Sequence, residues 1–171
     1  MSELIWQRLD IASRNLLPMM LTLLLVVLSM VPVPIDGYGP IAPMFALMGV
    51  YYWAIHRPDL LPLVAVFTIG LLQDVLGGVA LGLNSLIFLL VYWIVLHQRR
   101  FFLGKSFSLM WWGFGLLAFG ASLFTWIAVS LLAIQPMPVL PLLFQLILTV
   151  ALFPGIAWIL MQAQRLTLKR T

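Results

Sequence analysis

Cysteine is absent from this 171-residue chain and charge is scarce, with nine Lys and Arg, five Asp and Glu and two His. Without cysteine there is no disulfide, no Cys-ligated zinc or iron–sulfur centre and no thiol nucleophile, so the compartment has to be read from topology. Charged residues make up 8% of the chain, against about 25% in ordinary globular domains, which is too little to clothe a water-facing surface. What is present instead is 64% apolar residue and a mean hydropathy of +1.13. Lipid is therefore the solvent for most of the chain. At about 20 residues per span, six spans would occupy about 120 residues and leave about 50 for termini and loops. That excludes a soluble catalytic domain.

The first 15 residues read as a separate amphipathic unit. Ile5, Leu9, Ala12 and Leu16 recur at helical spacing, with Trp6 beside them and Glu3, Arg8, Asp10 and Arg14 supplying charge. The expectation is a short interfacial helix that leads into the first span. The apolar run after it ends at Pro32, Pro34, Asp36 and Gly37 with no small-x-small cleavage signal, so it is expected to stay attached.

Six apolar segments follow, at about 16–34, 41–55, 60–76, 83–96, 108–134 and 139–161. The predicted fold is an all-α polytopic membrane protein, a bundle of about six transmembrane helices. Residues 16–161 form the membrane domain and 162–171 a basic tail. The second and fourth segments are short for a 30 Å hydrocarbon core, and the fifth is long enough to tilt or bend. Charge placement supports the count. With six spans, Arg8, Arg14, Arg57, Arg99, Arg100, Lys105, Arg165, Lys169 and Arg170 all fall on one face, while the opposite loops carry no Lys or Arg. By the positive-inside rule that face is cytoplasmic, and both termini lie on it. Tyr51, Tyr52, Trp53, Tyr92, Trp93, Trp111, Trp112 and Trp158 sit near the cytoplasmic ends and Tyr38 lies in an outer loop, as expected of interfacial anchors.

Asp74 is the acid placed inside a span. It stands about 14 residues into the third segment, about 21 Å along a helix, and such a group ordinarily faces the bundle interior or a wet cavity. Gln73 precedes it, Gly77 and Gly78 break the helix a turn later, and the chain re-enters the membrane at Asn84 and Ser85. These four polar residues can gather at one outer-side turn. In one reading Asn84 or Ser85 caps the fourth helix while Asp74 satisfies backbone freed by the glycines. In the other, Gln73, Asp74, Asn84 and Ser85 bind a ligand or dock a partner's helix.

Arg57, Arg99, Arg100 and Lys105 form basic cytoplasmic loops suited to anionic lipid or a protein partner. Pro58 and Asp59 suit the first turn of the third helix. His56 and His97 have no carboxylates arranged around them for a metal, and no cofactor or nucleic-acid signature is present. Gly104-Lys105-Ser106 ends like a phosphate loop, but Arg99 stands where that motif needs Gly. No nucleophile elbow or His-Glu-x-x-His occurs. Gly78-x-x-x-Gly82 has the letters of a helix-dimer motif but falls in the turn. An enzyme is not expected.

The stretch GLLQDVLGGVALGLNSLIFLL from Gly70 to Leu90, with HQRRFF at His97–Phe102, resembles the rod shape-determining MreD family. PMFALMGVYYWAIHRPDLLP, from Pro43 to Pro62, is similar to proteobacterial members. The small polar residue more usual at Gly77 and the Pro often found near Ala80 are absent. The resemblance implies a non-enzymatic bacterial inner-membrane scaffold of the elongation machinery that helps organise peptidoglycan synthesis. Its implied partners are MreC, and with it the MreB filament, RodA, penicillin-binding protein 2 and membrane lipids. It also implies an architecture similar to the substrate-binding subunits of energy-coupling-factor transporters. A small-molecule or lipid-binding transporter subunit is the alternative function.

Overall fold

The structure, a computed structural model, describes residues 18–31, 33–35, 39–134 and 138–168. The expected interfacial helix at 1–15, Tyr38, and the cations Arg8, Arg14, Lys169 and Arg170 lie outside them. Six α-helices and one small hairpin are described. Helix α1 is described over Pro18–Leu28. Strands β1 (Val33–Ile35) and β2 (Gly39–Ile41) pair antiparallel with Pro34 opposite Pro40. Neither proline has an N–H to give, so theirs is a pair without ladder hydrogen bonds. The helices α2 (Phe45–His56), α3 (Leu63–Gly77), α4 (Leu83–Phe102), α5 (Phe107–Ala133) and α6 (Val139–Leu168) follow.

Leu83–Phe102, Phe107–Ala133 and Val139–Arg165 are each long and apolar enough to cross a membrane, whereas Pro18–Leu28 and Leu63–Gly77 are shorter apolar helices. The architecture is thus a helical membrane bundle in which, among the described residues, three helices have full spanning length. The hairpin takes residues assigned to the ends of the first two apolar segments. Helix α1 stops at Leu28, and α2 starts only at Phe45, since Pro40 and Pro43 disfavour helix in the residues just before them. At the other extreme, α4 runs six residues past Leu96 and α6 seven past Met161. Arg99, Arg100 and Arg165 in those extensions complement the negative ends of their helices. Pro58 and Asp59 do not start α3. They form a separate 3-10 turn, Pro58–Leu60, and α3 begins after Pro62.

Helix α2 is apolar on every side and its residues from Ala46 to Ile55 are all buried, the mark of a central element. It packs against α4 and α6, and α3 packs most extensively on α4. Side chains from neighbours satisfy the start of α2. Ser29 Oγ accepts from Ala46 N at 3.3 Å, Thr149 Oγ1 accepts from Met44 N at 3.1 Å, and Gln145 Nε2 donates to Ala42 O at 2.7 Å. One turn before its end, the Tyr51 ring packs on Phe102, Phe114 and Phe153, with Phe114 and Phe153 stacked at 4.2 Å.

This cluster corrects the expectation for several aromatics. Tyr51, Tyr52, Trp53 and Tyr92 are buried core residues. Their hydroxyls join elements, Tyr51 to Met110 O at 2.9 Å, Tyr52 to Gln164 Oε1 at 3.0 Å, and Tyr92 to Pro58 O and Leu61 O at 3.2 and 2.8 Å. A buried tyrosine needs such a partner. Trp93, Trp112 and Trp158 are more than half exposed, as anchors would be. The same bonds bring the ends of α2, α4 and α6 and the start of α5 together, so Arg57, Arg99, Arg100, Lys105 and Arg165 share one end of the bundle.

Candidate functional site

At the opposite end, α3 turns into α4 and the sequence-predicted polar residues meet. Gly77 is the last residue of α3. Gly78 then adopts the left-handed conformation at φ 64° and donates its N–H to Asp74 O, closing the helix. Gly82, at φ 95°, is the N-cap residue of α4, and no side chain of its own caps that helix. Both glycines hold positive φ that a side chain would strain, so the motif spacing they share belongs to the turn. Gly70 allows the approach of the two helices. A Cβ there would overlap the Ser85 Cα and lie 2.7 Å from the Ser85 N.

The cap of α4 comes from α3. Asp74, with no exposed surface, accepts from Gly82 N on Oδ2 at 2.8 Å and from Asn84 N on Oδ1 at 2.9 Å. Ser85 N and Ser85 Oγ stand 3.5 Å from Oδ2, and Ser85 Oγ also lies 3.3 Å from Phe67 O. Helix N-termini leave unpaired donors and a partial positive charge. A carboxyl group from the preceding helix answers both. Neither Asn84 nor Ser85 serves as the cap; they supply the backbone donors.

Gln73 and Asn84 face away from this bond set into a cavity of about 20 Å³, lined also by Met44, Phe88, Ala121 and Thr125. Gln73 Oε1 is buried without a hydrogen-bond partner. The space is the size of about one water molecule and lies between α3, α4 and α5. Thr125 was not visible as a member of this group from sequence, because it lies some 40 residues away in another apolar run. The structure therefore joins Gln73, Asp74, Asn84 and Ser85 at one junction but splits them into a helix cap and a small polar cavity.

At the basic end, His56 Nδ1 lies 3.0 Å from Tyr52 O and His97 Nδ1 3.1 Å from Trp93 O. Among the described residues no group of three or more His, Asp or Glu is placed to hold a metal. Lys105 extends over the Phe101 ring, its Nζ 5.9 Å from the centroid. One polar link escaped the sequence reading. Pro154 inside α6 has no N–H for Val150 O, and Trp111 Nε1 donates to that carbonyl at 2.9 Å. The signal was present as a proline four residues after a valine, but the donor is on another helix.

Such a chain is a helical membrane protein whose polar groups join helices, with no assembled catalytic constellation among the described residues. It belongs to the rod shape-determining protein MreD family, whose model matches residues 11–164, nearly the whole chain. That is a family of shape-determining proteins and is not known as an enzyme family. No curated protein and no solved structure is significantly similar to this chain.

Proposed function

We propose that this chain is a non-enzymatic scaffold of the cell-elongation machinery in a bacterial inner membrane, holding an MreC-like partner and helping to organise peptidoglycan synthesis. The family match over 11–164 carries the reading. In this reading the basic end faces the cytoplasm, where Arg57, Arg99, Arg100 and Lys105 meet lipid head groups or the MreB filament. The turn held by Asp74 then faces the periplasm. There Gln73, Asp74, Asn84 and Ser85 set the shape that steadies the partner, with RodA and penicillin-binding protein 2 in the same assembly. Helices α5 and α6 are the least buried spans, which leaves membrane surface for a partner's helix. The transporter-subunit alternative draws no support from the Gln73–Asn84 cavity, since about 20 Å³ is far below the roughly 300 Å³ at which metabolite pockets begin.

The test is complementation with co-purification. Cells lacking the gene round up and return to rods when it is restored, and an MreC-like protein is recovered with it in mild detergent. Asp74→Asn inserts normally and lowers that recovery. Rod shape maintained without the chain, or purification with a small metabolite and no protein partner, would overturn the proposal.

A further inference from the structure

Helices α5 and α6 do not close on each other along their whole length. Near the basic end a cleft of about 590 Å³ separates Trp111, Trp112, Gly115 and Leu116 of α5 from Leu146 and Val150 of α6. It lies within the range of roughly 300–1,000 Å³ typical of ligand sites. Its origin is local. Trp111 is fixed to Val150 O, the carbonyl that Pro154 leaves without a donor, and one turn on Gly115 contributes no side chain to fill the gap.

Two features define the occupant. First, the lining is almost wholly apolar carbon, and of its two indole N–H groups that of Trp111 is already committed to Val150 O. A polar solute would leave most of its hydrogen bonds unmade there, whereas a hydrocarbon chain meets carbon over nearly the whole lining. The four lining residues of each helix lie within 111–116 and 146–151, about 7.5 Å of rise, which suits an acyl chain and is short for a crossing helix about 10 Å wide. Second, the cleft begins at Trp111, only about 6 Å of rise from the first residue of α5. Lys105 is exposed two residues before that helix, Arg99 and Arg100 end α4 next to it, and the N-terminus of α5 has no side-chain cap. The described acid at this end is Asp59, on the 3-10 turn. Positive charge at the end of α5 nearest an apolar slot matches a negative head on an apolar tail.

We infer that the α5–α6 cleft is a binding site for one anionic phospholipid, with an acyl chain in the cleft and the phosphate at Lys105. The inference rests on the membrane reading and not on the identity of any protein partner.

The purified full-length chain is offered phosphatidylglycerol or phosphatidylcholine of identical chains, and retained lipid is counted by native mass spectrometry. The wild type keeps phosphatidylglycerol about fivefold better, the preference one surface cation supports. Lys105→Gln abolishes that preference. Gly115→Leu fills the slot and lowers retention of both lipids while the helical circular dichroism persists, because a Cβ there meets the Val150 methyls at ordinary distances of 3.8 and 3.9 Å. Equal retention of both lipids by the wild type, or full retention by Gly115→Leu, overturns the inference. So does a preference lost only when Arg99 and Arg100 are replaced, or a protein helix found cross-linked to residue 115 in place of lipid.

Discussion

Asp74 shows how an acid is accommodated inside a bundle otherwise built from hydrocarbon. Its two oxygens take backbone donors that a helix start would otherwise leave unpaired. Asp74→Asn keeps the size but turns an amide N–H₂ toward one of those donors, leaving a buried N–H unpaired. The expected loss is about 1–3 kcal/mol, read as a lower thermal unfolding midpoint in detergent. Glycines separate packing from tolerance. Gly70→Ala drives a methyl into the Ser85 backbone, so α3 and α4 must move apart, at a cost of about 1–3 kcal/mol. Gly120→Ala meets no atom within 4 Å and raises stability by about 0.5–1 kcal/mol through helix propensity. The same unfolding measurement ranks the two with opposite signs. From sequence, the importance of Asp74 was legible because an acid within an apolar run demands a partner. Its actual partners were not, since backbone N–H groups carry no sequence signature.

At the scale of elements, α6 lacks one internal hydrogen bond at Pro154, and α5 makes it good through Trp111. A double-mutant cycle tests this division of labour. Trp111→Phe strands Val150 O and costs about 1 kcal/mol. In a Pro154→Ala background the helix supplies its own donor, and the cost of Trp111→Phe shrinks toward zero. Equal costs in both backgrounds would reduce Trp111 to a packing residue. Helix α2 illustrates a limit of pattern reading. Its uniformly apolar sequence fits either a lipid-facing span or a central core helix. Only the presence of neighbours on all sides decides for the core, which is why Tyr51, Tyr52 and Trp53 lie inside and not at a membrane surface.

For the whole molecule, the separation of the basic end from the Asp74 turn gives a topology experiment that needs no background removal, because the chain has no cysteine. Ala80→Cys, exposed in the α3–α4 turn, is labelled by an impermeant thiol reagent on intact cells. Lys105→Cys is labelled only after permeabilisation. Labelling of both from the same side would refute the alternating arrangement.

Apolar content, the breakers between segments and the gathering of cations at one end were properties of the chain itself, because the free energy of burying hydrocarbon and charge in lipid is set residue by residue. The GLLQDVLGG stretch likewise carried the family resemblance without coordinates. Which helices reach full spanning length, which aromatics turn inward, that Asp74 caps α4 and that a slot opens beside Trp111 were decided by the tertiary structure. Each depends on two segments far apart in sequence meeting at a few ångströms, and short-range periodicity contains no term for that distance.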